Sequence, residues 1–155
     1  MLKEDDVIKP YLKYLIYLLD HKKNVLLACW KRGLYIHGIT HDLSKFLPDE
    51  FIPYARYFYI DKEKYQSDFD LAWEKHYTRN KHHWNHFYDP VYKLVVGMDK
   101  KHIKQMVCDW EAMSMKFGGS ALEFYLENKK RNKINMSVYG DYVIIGMLDP
   151  CNIIL

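Results

Sequence analysis

Residues 99–117 read DKKHIKQMVCDWEAMSMKF, and within them Ile103, Met106, Trp110 and Met113 recur at the spacing that paints one stripe of an α-helix. Gly118-Gly119 follows as a natural stop. One residue breaks the pattern. Asp109 has Gln105, Met106, Ala112 and Met113 three and four positions away, so its carboxylate is aimed at apolar packing and needs a cation to offset its desolvation. That cation is either an arginine or lysine, or a metal ion.

Outward from this segment the same period recurs, which predicts an all-α chain of about six to seven helices. Val7, Tyr11, Leu15, Leu18, Val25, Ala28 and Cys29 lie on one face of a first helix that Gly33 ends, with Pro10 either in its first turn or at a kink. A short helix is expected over Ile39 to Phe46, closing before Pro48, and Pro48 opens a third with Asp49 and Glu50 at its positive end. A fourth runs from Asp68 to about Asn80 and, if unbroken, on to Phe87 before Pro90. Ser120 and Glu123 form a capping box that starts a sixth helix running to about Lys133. The stretch from Met136 to Leu148 reads equally as helix or strand, which leaves 134–155 open.

The chain has 155 residues, 49% of them apolar and 28% charged, enough for one globular domain over 1–155 without staples. Lys and Arg number 23 against 20 Asp and Glu, a balance too even to argue for nucleic acid despite the basic runs KHIK and NKKRNK. Cys29, Cys108 and Cys151 are odd in number and have no C-x-x-C pair, which argues against disulfides or a zinc ribbon. No signal peptide or membrane span is legible. A cytoplasmic protein with no membrane partner is the expectation.

Further ionisable residues interrupt apolar faces. His21 has Tyr17, Leu18, Asn24 and Val25 as helical neighbours, a place that suits a hydrogen-bonded core histidine or a ligand. His41-Asp42 sits in ITHDLSKF, where adjacent helical side chains diverge by about 100° and serve one ion, or two ions through a bridging carboxylate. Capping is the alternative for Thr40 or Asp42. Lys45, four residues after His41, lies over the same face. Trp73, His76, Asn80 and His83 form one stripe if their helix is continuous, leaving His82 facing away. A break near Asn80 reopens the choice between His82 and His83. Six or seven nitrogen and carboxylate donors without thiolate suit one or two ions of Mn, Fe, Ni, Co or Zn, and their number favours two.

The order His, His-Asp, His, His or His-His, Asp resembles the HD-domain superfamily of metal-dependent phosphohydrolases. HDLSK is similar to the HD-x-G-K form of the motif in HD-GYP phosphodiesterases and myo-inositol oxygenase, with Ser44 in place of glycine. This resemblance implies an HD-like helical domain in which His21, His41, Asp42 and Asp109 hold a metal, with His76 and His82 or His83 holding a second. His76 and His83 are closer together than the corresponding histidines usually are, and no GYP-type segment follows. HDLSKF, PYARYF, AWEKHYTRNKHHW, CDW and EFYLENK also resemble, from about Tyr11 to Asn132, a family of small bacterial and phage proteins known as a domain of unknown function.

The function these readings predict is hydrolysis of a phosphate ester, a nucleotide or related phosphorylated small molecule. Asp42 and Lys45 are the expected catalytic residues. Lys45, Asn80, Arg56 and Tyr54 are the expected substrate contacts, with Arg79 as an alternative clamp and Tyr57 and Trp84 as stacking surfaces. A di-iron oxygenase and a non-catalytic helical interaction protein are the alternatives.

Overall fold

The periodicity of the first third produces one long helix in the computed structural model, which describes residues 4–149: α1 (Glu4–Trp30), with Pro10 inside it rather than in its first turn. Six more helices follow, α2 (Tyr35–Thr40), α3 (Pro48–Tyr59), α4 (Gln66–Arg79), α5 (Lys100–Phe117), α6 (Ala121–Lys130) and α7 (Val138–Leu148). Two 3₁₀ turns, Leu43–Phe46 and Trp84–Phe87, and a two-stranded hairpin of β1 (Tyr88–Asp89) and β2 (Leu94–Val95) complete the described residues. The chain is all-α, as its periodicity predicts, and among the described residues no helix is long and apolar enough to cross a membrane.

Several boundaries follow from local chemistry. Asp99 caps α5 by accepting from the His102 N–H at 2.8 Å, and the Ser120–Glu123 capping box starts α6. α7 settles the ambiguous tail as helix, because Ser137 caps it through the Gly140 N–H. Cys151 lies outside the described residues.

Two expectations are corrected. No helix spans Ile39 to Phe46: α2 stops at Thr40, His41 is extended, and Asp42 takes the left-handed conformation at φ 55° before the 3₁₀ turn begins. Asp tolerates that conformation better than most residues, so the chain turns without a glycine. α4 ends at Arg79, where Asn80 becomes extended, so the continuous stripe from Trp73 to His83 does not form.

The core has three parts. Tyr14, Leu18, Tyr54, Ala55 and Ala72 pack α1 against α3 and α4, while Val25, Ala28, Cys29, Cys108 and Ala112 pack it against α5. Ile103, Met106, Trp110, Tyr125 and Ile144 join α5 to α6 and α7. His21 lies on α1 between Leu18 and Val25, and Asp109 lies on α5 between Cys108 and Trp110. Both therefore fall at the junction of the three parts. Cys29 and Cys108 are free thiols buried side by side across α1 and α5.

α2 approaches α1 closely because residue 38 is glycine. A Cβ there would stand 3.1 Å from both Cys29 Cβ and Leu26 Cδ1 and 3.3 Å from Leu26 Cα. Gly38→Ala should destabilise the chain by about 1–3 kcal/mol, the ordinary cost of overpacking, measurable by denaturant titration.

Candidate metal centre

Seven side chains converge at the junction. His21 comes from α1, His76 from α4 and Asp109 from α5, whereas His41, Asp42, His82 and His83 come from the segments that interrupt the helices. The helix expected to carry His41-Asp42 is therefore corrected to a break, and with the break at Asn80 it aims four donors inward. The Lys22 ammonium fixes the first break by donating to the carbonyls of Ile39 at 2.5 Å and His41 at 3.0 Å.

Asp42 is the hub. Its Oδ2 lies 3.3 Å from His41 Nε2, and its Oδ1 lies 3.3 Å from His76 Nε2 and 3.2 Å from His82 Nε2. On the first side, Asp109 Oδ1 is 3.1 Å from His21 Nε2 and 3.6 Å from His41 Nε2, and the two imidazole nitrogens are 3.4 Å apart. On the second, His76 Nε2 and His83 Nε2 are 2.8 Å apart. Donors held at ~2.0–2.2 Å from one ion stand about 3.0–3.5 Å from each other, and five of these seven separations fall in the range of such polyhedron edges. Both His82 and His83 reach the second side, because the break at Asn80 turns the first of them inward as well.

The donors fit a cation chemically. Asp42 Oδ1, His82 Nε2 and Asp109 Oδ1 are buried without a hydrogen bond, an arrangement costly in a protein interior unless a ligand completes it. Burial holds the His82 and His83 imidazoles below their ordinary range against the pull of Asp42, which keeps them in the neutral, ligating form. Asp42 and Asp109 are held well below the usual carboxylate range: burial opposes their ionisation, but His41 and Lys45 beside Asp42, and His21 and His41 beside Asp109, outweigh it. Burial likewise opposes a charge on His41, yet the two carboxylates raise it to about 9. Without an ion, a proton on His41 occupies part of the space between them.

Outer contacts fix the rings. His76 Nδ1 is 2.8 Å from Glu50 Oε2, and since a carboxylate can only accept, Nδ1 carries the proton and Nε2 presents its lone pair to the centre. The fully buried Glu50 is held by Ser44 Oγ at 2.9 Å and Arg79 Nη1 at 2.7 Å. Burial raises its carboxyl, but His76 and Arg79 outweigh that and hold it below its ordinary value. Sequence reading misses this role, because Glu50 looks there like a residue placed for the helix dipole.

His37 is missed altogether. Its Nε2 is 3.3 Å from His41 Nδ1, and its ring packs edge-on to His82 with centroids 5.3 Å apart. The signal was present in HGITH, where His37 and His41 are four residues apart on one helical turn. Burial and the neighbouring His41 lower His37 to about 3, so it stays neutral and can accept the His41 Nδ1 proton. His37→Ala should weaken metal binding about 10- to 100-fold, and His37→Gln, which keeps an acceptor, should recover part of it. Titration of the metal-free protein with Zn²⁺ measures both.

The expected substrate residues divide. Lys45 points inward, 2.6 Å from Asp42 Oδ2 and 5.7 Å from the centroid of Tyr54. Burial alone would lower the Lys45 ammonium, but Asp42 more than compensates and keeps it charged. Lys45 and Tyr54 both line a cleft of about 700 Å³ that also reaches His21, His83 and Asp109. Asn80 is corrected: its amide donates to Ser44 Oγ and to the His76 carbonyl, both at 2.8 Å, so it braces the centre and does not face the cleft. Arg56 is corrected too. Two residues beyond Tyr54 it turns to another face of α3, where it donates to Tyr11 Oη at 3.2 Å and lies over Tyr65. Arg79 is committed to Asp49 and Glu50, and Tyr57 stacks on Phe69 with centroids 4.2 Å apart, whereas Trp84 does line the cleft.

No curated protein and no solved structure matches the chain. Residues 11–141, a span from α1 into α7 that contains every candidate donor, match the profile of a family. That family is DUF5662, a family of unknown function, and the chain belongs to it.

Proposed function

We propose that the chain is a metal-dependent hydrolase of a small-molecule phosphate ester, built on an HD-type centre. The observation that carries this reading is Asp42, whose two carboxylate oxygens face different groups of histidines while a buried lysine lies beside them on the cleft side. His21, His41, Asp42 and Asp109 would hold one ion, and Asp42, His76, His82 and His83 a second. Bound Mn, Fe, Ni, Co or Zn would supply a water of lowered pKa and polarise a phosphoryl oxygen.

The chain's own residues supply the rest. Lys45 can leave Asp42 for a phosphoryl oxygen once ions neutralise the carboxylate, and as an ammonium it would hold that oxygen as a point charge. Glu50 keeps the His76 proton on Nδ1, and His37 accepts that of His41. The apolar walls keep bulk water from the bound ester, which strengthens each of these charge interactions.

Lys45→Ala should retain its metal, since removing a competing cation from Asp42 does not remove a ligand, while kcat on a phosphate ester should fall about a hundredfold or more. Elemental analysis alongside steady-state turnover tests both halves, and equal loss of metal and activity would assign Lys45 to structure. The cleft's apolar lining favours a second reading, a di-iron oxygenase. Metal content after aerobic and anaerobic purification, with assays for phosphate release and O₂ uptake, separates the two.

A further inference from the structure

We infer that the substrate is a phosphate monoester of a bulky apolar alcohol, with its head at Lys45 and the donor cluster and its body along the aromatic cleft. The inference rests on the hydrolase reading and narrows it to one substrate class. The cleft's volume of about 700 Å³ is in the range of small-molecule sites. Its inner end is polar, formed by His21, His83, Asp109 and Lys45, and its walls include Tyr17, Phe69, Trp73, Trp84 and Trp110.

Along the walls, several polar side chains are already used by the protein. Ser114 Oγ donates to the Trp110 carbonyl at 3.0 Å, Ser120 is the α6 cap, and Asn128 Nδ2 donates to the Phe124 carbonyl at 2.8 Å. Asn85, Lys133 and the unpartnered hydroxyls of Tyr14 and Tyr54 also line the cleft, but they stand apart among aromatic rings, so the walls offer mainly apolar surface to the body of a ligand. Lys45 and Lys133 are the lysines that line the cleft, and Arg56 and Arg79 bind elsewhere, so a single phosphoryl head suits it better than a polyphosphate. At the rim, Phe117 and Phe124 are 66% and 46% exposed, an apolar border that an extended alcohol would cover.

In the reaction inferred, the oxygen of water forms the new P–O bond and the ester P–O bond breaks. The leaving alkoxide takes the proton that water releases, giving inorganic phosphate and the alcohol.

The test uses the metal-loaded full chain with 2-(1-naphthyl)ethyl phosphate, ethyl phosphate and AMP. The first two have similar leaving groups and differ mainly in the apolar body. The naphthylethyl ester should exceed ethyl phosphate in kcat/KM by at least about a hundredfold, given what single methylenes contribute in apolar pockets, and should also exceed AMP. Ser114→Trp, which fills the cleft, should lower that preference about tenfold or more, as should Phe117→Ala at the exposed rim, where folding is not at stake. Preference for AMP or ethyl phosphate, or an unchanged preference in both variants, overturns the inference while leaving the hydrolase reading intact. If no ester is cleaved, the hydrolase reading fails, and quenching of tryptophan fluorescence then decides the occupant. Tighter binding of the naphthylethyl ester than of ethyl phosphate keeps an apolar, anion-headed ligand, and equal or absent binding removes it.

Discussion

Asp42→Asn is expected to lose more than about a hundredfold in metal affinity and to abolish measurable turnover, because groups that merely orient ligands already cost 10- to 100-fold when removed. Asp42 does more than orient. Among the described residues it is the one side chain whose two oxygens face both groups of histidines, so a single change disturbs both candidate ion sites. Asparagine keeps the size of the side chain and tolerates the left-handed backbone at φ 55°, so the fold should persist. Asp42→Ala carries a further penalty, since it leaves Lys45 and His41 buried without their counter-charge. Elemental analysis after dialysis, with the exposed Asp68→Asn as a surface comparison, reads the effect. Full metal content in Asp42→Asn would show that the carboxylate serves only Lys45.

Adding metal to the stripped protein should raise its melting midpoint by about 8–16 °C. An ion at a thousandfold excess over its Kd stabilises the folded chain by about 4 kcal/mol, and for a domain of this size each kcal/mol moves the midpoint about 2–4 °C. The physical source would be the buried atoms Asp42 Oδ1, His82 Nε2 and Asp109 Oδ1, which lack hydrogen bonds and which a bound ion would engage. Scanning calorimetry with Mn²⁺, Zn²⁺ and, anaerobically, Fe²⁺ measures it, with Asp109→Asn showing a reduced shift. No shift with any of the three ions would mean that histidine–carboxylate contacts complete this core by themselves.

Helices α1, α3, α4, α5 and α6 are legible because each buries one stripe, whereas α2 is not legible, and the same stripes expose His21 and Asp109 as ionisable residues in apolar company. Those two meet at 3.1 Å from helices far apart in sequence. The bends were not legible. THDL contains no glycine to announce a left-handed residue at Asp42, and Asn80-Lys81 has no proline to end α4, yet these breaks turn His41, His82 and His83 inward. Asn80 and Arg56 were misplaced for related reasons. Asn80 lies at the break and spends its amide on Ser44, and Arg56 is turned from the cleft by the helix that aims Tyr54 into it. Glu50 depends on tertiary contact with His76 and Arg79, which no local pattern encodes. The apolar run YVIIGML fits either period, and the Ser137 cap decides for helix.

The donors are also ordered along the chain in a way that bears on its synthesis. Asp42, His76, His82 and His83 all precede α5, whereas the group containing His21 and His41 waits for Asp109. At about 5–20 residues per second on the ribosome, the segment from His83 to Asp109 takes about 1–5 s to make. On the metal reading, a nascent chain therefore has the donors of its second site before those of its first. The ion captured early would gather α4 and the Asp42 turn around it, and α5 would dock afterwards to close the remaining site.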